Sequence, residues 1–170
     1  MKRIPSGIIG LDELIEGGFP EGSSILLSGG PGAGKTIAAM QFIYEGARTY
    51  GEPGLYVTLE SNLKDITWNM QRFQWDIKTL QEKNLMKIYR LNLGNARNGL
   101  EMEEQVQSEL EIITRMVDSI GAKRLAIDST TAFGVWIADQ GSLRHILFEF
   151  VNKLKEIGCT TILTSEIAQE

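Results

Sequence analysis

The sequence predicts an α/β domain in three layers, a mostly parallel sheet with helices on both of its faces. Three observations carry that prediction. Short β-rich apolar runs alternate with helix-period segments along the whole chain. Residues 29–36 are glycine-rich and lie between one such run and a helix, the order strand, loop, helix. Glu60, Asp128 and Glu166 each close a predicted strand, so they and the glycine-rich loop collect where the strands end.

Residues 4–22 read as a lead-in. Leu11, Leu14 and Ile15 fall on one side of a short helix that Gly17-Gly18 stops. Pro20-Glu21-Gly22 is a tight turn feeding a strand over 24–28. The helix after the loop carries Ala39, Phe42, Ile43, Ala47 and Tyr50 at helical spacing, and Gly51 ends it. Ile37, Met40 and Tyr44 add apolar surface on its other sides, which predicts cover on more than one face. A strand over 55–60 follows Pro53-Gly54, then a helix from Asn62 to about Phe73, then a strand over 87–91. The helix over 101–119 is the clearest periodic segment, with Val106, Leu110, Ile113, Val117 and Ile120 stepping by four and three. Glu101, Glu103 and Glu104 stand at its start, where the helix dipole favours anions, and read as a solvated face. A strand over 125–128, a helix over 142–157 ended by Gly158, and a β-rich run over 160–164 complete the chain.

The loop GGPGAGKT has Gly29, Gly34, Lys35 and Thr36 in the four fixed positions of G-x-x-x-x-G-K-[ST]. Gly30, Gly32 and Gly34, with Pro31 and Ala33 between them, let the backbone come close to phosphates. Their N–H groups, with those of Lys35, Thr36 and Ile37 at the helix start, form a concave nest of donors with a partial positive charge. Lys35 supplies a mobile charge for the β- and γ-phosphates, and the Thr36 hydroxyl joins a Mg²⁺ shell. The expected ligands are a nucleoside triphosphate and Mg²⁺.

Asp128 follows three apolar residues at a strand end, as a metal-binding aspartate does, and is expected to hold Mg²⁺ through water opposite Thr36. Glu60 is the candidate catalytic base, placed by a neighbouring strand to polarise an attacking water. Ser165 and Glu166 are candidates for sensing the γ-phosphate. Ser129, Thr130 and Thr131 offer hydroxyls near the metal strand, which leaves self-phosphorylation open.

The chain has 170 residues, 42% hydrophobic and 23% charged, the size and composition of one soluble domain. No run nears the ~18 apolar residues of a membrane span, and no long apolar stretch follows Lys2-Arg3 to make a signal peptide. A cytoplasmic setting fits the lone Cys159, which reads as a buried core residue rather than a reactive thiol. The net charge of −5, with Lys and Arg dispersed, argues against nucleic acid as a partner. His145 reads as a surface residue, and Trp68 and Trp75 as core or groove fillers.

With these residues in place, the chain resembles the KaiC-like branch of the RecA superfamily of ATPases, over essentially its full length. SGIIGLDELIEGGFPEGS resembles that branch's S-G-x-x-G-L-D-x-x-x-x-G-G-x-P-x-G-S and runs straight into the phosphate loop. YVTLES, then DI, then FQWD around Trp75 resemble its catalytic-glutamate strand and helix. RLAIDSTTAF resembles its metal-binding strand, and LKEIGCTTILTSE the helix and strand that follow. The resemblance implies a single RecA-like P-loop domain, 1–170, with a lead-in over 1–22 and a core over 23–170. It implies ATP and Mg²⁺ bound at a subunit interface of a hexameric ring, an unidentified protein partner, and slow hydrolysis. It also implies that the strand at 160–164 inserts between the phosphate-loop strand and the Asp128 strand. Two departures stand out. Family members often carry two adjacent glutamates where this chain has Glu60-Ser61. The family domain also continues with further strands, so the C-terminal strands are expected to be missing here. Those strands bear basic residues that reach a neighbour's ATP and cover the outer edge of the phosphate-loop strand.

Two other functions compete with a regulatory ATPase. One is a nucleotide-binding scaffold with little hydrolysis, motivated by Ser61 and the missing strands. The other is a recombinase-like DNA-dependent ATPase. Its candidate DNA loop, Thr130 to Ser142, contains no Lys or Arg and offers Phe133, Val135, Trp136 and Ile137, for which packing or a protein interface is the better reading.

Overall fold

The computed structural model describes residues 1–94, 96–137 and 139–167, without the side chain of Trp136. The lead-in holds a small antiparallel ribbon of β1 (Arg3–Ile4) and β2 (Phe19–Pro20), with a one-turn helix, α1 (Leu11–Leu14), between them. The ribbon is absent from the sequence reading because two-residue strands carry no periodicity. The apolar side expected of α1 is also not used for packing: Leu14 is 81% exposed and the helix buries none of its residues. A helix this short has too little surface to dock by itself. The lead-in is held by Ile4, buried in the core, by Phe19 set edge-on to Phe42 at 5.8 Å, and by polar contacts, Ser6 N–H donating to Asp12 Oδ1 (2.8 Å) and Gln41 Nε2 donating to Gly7 O (2.8 Å). The Ser23 N–H donates to Pro20 O (3.2 Å) and closes the expected turn into the sheet.

The main sheet consists of β3 (Ser24–Gly29), β4 (Gly54–Thr58), β5 (Met86–Arg90), β6 (Arg124–Asp128) and β7 (Thr160–Glu166). All neighbours are parallel, in the order β3-β7-β6-β4-β5. As the resemblance implied, β7 lies between the phosphate-loop strand and the Asp128 strand. Helices α2 (Lys35–Tyr50), α3 (Leu63–Gln71) and α4 (Ile77–Glu82) cover one face, and α5 (Gly99–Ile120) and α7 (Gln140–Ile157) cover the other. A short α6 (Ala132–Trp136) connects β6 to α7.

Strand periodicity sorts the core into two halves. Tyr56, Ala126 and Ile162 are in register across β4, β6 and β7 and pack with Met40, Phe42 and Ile43 of α2. Their neighbours Leu55, Val57, Leu125, Ile127 and Leu163 turn to α5 and α7 and meet Leu110, Ile113, Phe150 and Leu154. Both faces are covered, so β4 and β6 read as continuous apolar runs rather than alternating ones. β3 and β5 form the two edges, and Leu26 of β3 is 65% exposed.

Local signals set the helix ends. Asn62 accepts from Lys64 N–H, Asn98 from Glu101 N–H, and Asp139 from Ser142 N–H, each satisfying a first-turn donor. Glu101 also accepts from Arg97 N–H (2.8 Å), a specific cap rather than only a dipole-matched charge. The helix expected from Asn62 to about Phe73 is α3, and α4, which the sequence reading left out, follows it where Asp76 accepts from Thr79 N–H (3.1 Å). Trp75, in the connection, stacks between Tyr44 and Phe73 at 5.1 and 4.9 Å, a groove filler as expected. Trp68 fills nothing and is 69% exposed.

At the opposite end of the sheet from the loop, α2 is fastened by a buried cation. The Arg124 side chain is wholly buried, with Nε donating to Glu52 Oε2 (2.7 Å) and Nη1 to Phe42 O (3.0 Å). Nη2 lies 2.7 Å from the same Glu52 oxygen, but its angle leaves it without a directed hydrogen bond. The guanidinium lies over the Phe42 ring at 4.6 Å. It also fills the space beside Gly46, where a Cβ would stand 2.3 Å from Arg124 Cδ. Gly46→Ala should therefore destabilise the protein by about 1–3 kcal/mol in denaturant unfolding, as overpacking does. Helix propensity alone would give the opposite sign, a gain of about 1 kcal/mol.

Cys159 is in the core, its thiol donating to Ala122 O (3.3 Å), and burial pushes its pKa up to about 11. At pH 8 the folded protein should react with iodoacetamide at least about tenfold more slowly than the denatured chain, followed by mass spectrometry.

Candidate functional site

The phosphate loop leaves β3 at Gly29 and enters α2 at Lys35. Gly32 and Gly34 have φ of +76° and +87°, conformations that side chains rarely adopt, and Gly34 in this state starts the helix. The loop closes on itself through the Ala33 N–H, which donates to Gly30 O (3.3 Å). The first N–H groups of α2 have no partner within the helix, so the loop and helix start present donors to the same space. Lys35 is almost fully buried. Its Nζ donates to the carbonyls of Gly29 and Gly30, both at 2.8 Å, and lies 4.0 Å from Glu166 Oε1.

A polar cleft of about 250 Å³ opens at this point. It is lined by Gly32, Gly34, Lys35, Thr36 and Ile37 of the loop and helix, Glu60 and Ser61 after β4, Asp128 at the end of β6 with Ser129 after it, and Glu166 of β7. Four chain segments far apart in sequence thus meet at the carboxyl edge of the sheet, where parallel α/β folds bind ligands. A larger groove of about 630 Å³ between α5 and α7 is lined by Val106, Ile146, His145 and three glutamates, and none of the loop or strand-end residues reaches it.

Within the cleft the carboxylates differ. Asp128 is 6% exposed, and each of its oxygens accepts from a buried hydroxyl: Oδ2 from Tyr56 and Oδ1 from Thr164. Burial, and then the adjacent Asp128 charge, hold the Tyr56 phenol well above its ordinary pKa, so Tyr56 is a donor. Glu60 is exposed, and its Oε1 accepts from the Ser129 hydroxyl at 3.1 Å. Glu166 is half-exposed, and its backbone N–H donates to Thr131 Oγ1 (2.8 Å) at the start of α6. Ser165 pairs with Ser28 across β3 and β7 and does not line the cleft, since strand alternation turns it away from Thr164 and Glu166.

The donor set can be tested for a divalent cation. Among the described residues no three His, Cys, Asp or Glu side chains cluster tightly enough to cage a metal. Thr36 and Asp128 do share one cleft, and both offer oxygen. One hydroxyl and one carboxylate suit Mg²⁺, which keeps several waters and takes its other ligands from phosphates. The residues fit that ion.

Of the residues offered for a DNA loop, Phe133 packs against Phe150 at 5.1 Å and Ile137 is buried, so both belong to the core. Val135 is exposed; Ala138 and the Trp136 side chain lie outside the described residues. Among the described residues no helix is long and apolar enough to cross a membrane. Sequence reasoning missed Tyr56 and Thr164, which stand behind the cleft on Asp128, and it offered Ser129 only as a hydroxyl near the metal strand, not as the partner of Glu60. The available signal was a hydroxyl in each of two buried strands at a position that, once the register is known, shares a face with Asp128.

Comparison with known proteins places this architecture. A family model described as ATPase: KaiC matches residues 4–170. A UPF0273 protein of Methanocaldococcus jannaschii is 36% identical over 175 residues, covering 99% of this chain and 72% of the relative. The circadian clock oscillator protein KaiC of Thermosynechococcus vestitus is 34% identical over 172 residues, spanning 100% of this chain but 33% of its own length. The crystal structure of a KaiC-like protein from Pyrococcus horikoshii superposes with a TM-score of 0.86 at 42% identity, over 99% of this chain and 72% of that one.

Proposed function

The chain belongs to the KaiC family of ATPases, and on that premise we propose that it is a Mg²⁺-dependent regulatory ATPase that binds ATP in the cleft and hydrolyses it slowly. The observation that carries this reading is the meeting of Lys35, Thr36, Asp128 and Glu60 around one polar cleft of about 250 Å³.

In this reading residues 30–37 wrap the phosphates, with backbone N–H groups as the fixed donors. Lys35 exchanges its two carbonyl partners for phosphate oxygens. Thr36 and Asp128 hold Mg²⁺, which when bound neutralises charge on the β- and γ-phosphate oxygens. Glu60 takes the proton of the attacking water. Its tie to Ser129 leaves the other carboxylate oxygen, Oε2, to receive that proton. Glu166 responds to the γ-phosphate by way of Lys35, since the two charges already face each other. Residues 1–170 act as one cytoplasmic domain, a lead-in over 1–22 and a P-loop core over 23–170, and the active form is a homo-hexameric ring that engages a protein partner. The support for these last points is the family resemblance.

A scaffold that barely turns over is the second reading. Glu60 stands beside Ser61 rather than a second carboxylate, and one of its oxygens is already engaged by Ser129. Nucleic acid is disfavoured by the net charge of −5 and by a loop whose aromatic Phe133 is consumed in the core.

Lys35→Ala should weaken binding of a fluorescent ATP analogue by about 10–100-fold, the loss of one charge-assisted contact. Wild-type affinity in that variant would reject the site. Glu60→Gln should retain binding within about threefold but lose about 10²–10⁴ in turnover, the usual share of a general base. Phosphate release at background in the wild type, with no change in Glu60→Gln, would favour the scaffold.

A further inference from the structure

We infer that Tyr56 and Thr164 are positioning residues that clamp the Asp128 carboxylate, leaving its charge and outward lone pairs to a divalent cation in the cleft. The inference rests on the reading of the cleft as a Mg-ATP site and assigns two residues to it that take no direct part in binding nucleotide.

The placement follows from the sheet. β6 runs between β4 and β7, so Asp128 at its end has a strand on each side. Tyr56 comes from β4 and Thr164 from β7, and both are fully buried on the α2 side of the sheet, the side from which Lys35 and Thr36 enter. One hydroxyl donates to each carboxylate oxygen. A carboxylate has about four lone-pair sites, so this clamp occupies half of them, one from each flank.

The kind of donor matters as much as its position. A nearly buried carboxylate is normally matched by Arg or Lys. Among the described residues no basic side chain comes within ion-pairing distance of Asp128. Lys35, the cation of the same cleft, is engaged by Gly29 O and Gly30 O. Arg124 begins the same strand but is committed to Glu52 at its far end. Two neutral hydroxyls fix the carboxylate and offset part of its desolvation without cancelling its charge. A fixed negative charge, held from both sides and facing a polar cleft, is the arrangement a metal needs. Groups that orient a metal ligand in this way usually contribute 10–100-fold to metal affinity.

The test is the Mg²⁺ dependence of binding of a fluorescent ATP analogue to the full chain. Wild type is compared with Tyr56→Phe, Thr164→Val, Thr164→Ser and Asp128→Asn, with a fluorescent ADP analogue in EDTA as the metal-free reference. Tyr56→Phe and Thr164→Val should each raise the half-saturating Mg²⁺ concentration about tenfold or more. Their metal-free nucleotide affinity should stay within about twofold of wild type, and Thr164→Ser should restore the wild-type midpoint. A purely structural role would move metal-free binding and the Mg²⁺ midpoint together, and that outcome overturns the clamp. So does a wild-type Mg²⁺ midpoint in either folded variant while Asp128→Asn is shifted. An Asp128→Asn protein with unchanged Mg²⁺ dependence overturns the reading of the cleft itself, and the clamp with it. Thr164→Val keeps the test decisive should Tyr56→Phe not fold.

Discussion

The position of β7 is the constraint on which the rest depends. Inserted between β3 and β6, it separates the phosphate loop from the Asp128 strand by one strand width on each side. Neighbouring strands lie about 4.8 Å apart, so the β3 and β6 ends are held about 10 Å apart. That is room for a phosphate and a hydrated cation between the loop and Asp128. Without the insertion the loop and Asp128 would be direct neighbours with no such gap. The same strand then contributes to both sides of the gap it creates. Thr164 turns to Asp128, Glu166 faces Lys35, and Thr164 O accepts from Thr130 N–H to fold the chain after Asp128 back against β7.

The other requirement is that α2 aim its first turn into that gap, and the distant end of the helix contributes to this. Gly51 ends α2 in a left-handed conformation and turns the chain so that Glu52 N–H reaches Gly46 O at 2.9 Å. That turn delivers the Glu52 carboxylate to Arg124 at the start of β6. A buried ion pair is weak evidence of stability, because desolvation offsets most of its attraction. Its effect here is geometric: it ties the C-terminal end of the helix carrying Lys35 to the first residue of the strand carrying Asp128. One strand and one helix thus bring the loop and Asp128 to the same cleft from opposite directions.

This division also explains what could be read from residues alone. Elements with a period long enough to repeat were legible: α2, α5, α7 and the strands ending at Thr58 and Asp128. The loop was legible because its residue types follow from phosphate geometry, and Asp128 and Glu60 because a carboxylate at a strand end stands out after apolar residues. The β1–β2 ribbon was not, because two-residue strands have no pattern to detect. Leu14 was misread for a related reason: helical spacing says which side chains share a face, but not that anything covers it. Tyr56 and Thr164 were missed because in a strand buried on both faces the alternation is hidden. Ordinary β formers at those positions look like packing until the register sets them beside Asp128.

The charges of the cleft add a last constraint. One lysine stands among three carboxylates, Asp128, Glu60 and Glu166. Such a cleft repels a polyphosphate on side-chain charge alone, so the backbone nest and a cation must reverse that balance. Asp128, fixed from both flanks and with no basic side chain in ion-pairing distance among the described residues, is the place where a cation would change the balance most. Lys35 donates to two carbonyls and stands 4.0 Å from the half-exposed Glu166 carboxylate, so it can leave them without stranding a buried charge. In the proposed Mg-ATP site each ligand would bring the charge that the other lacks, so electrostatics alone would make the binding of either favour the other.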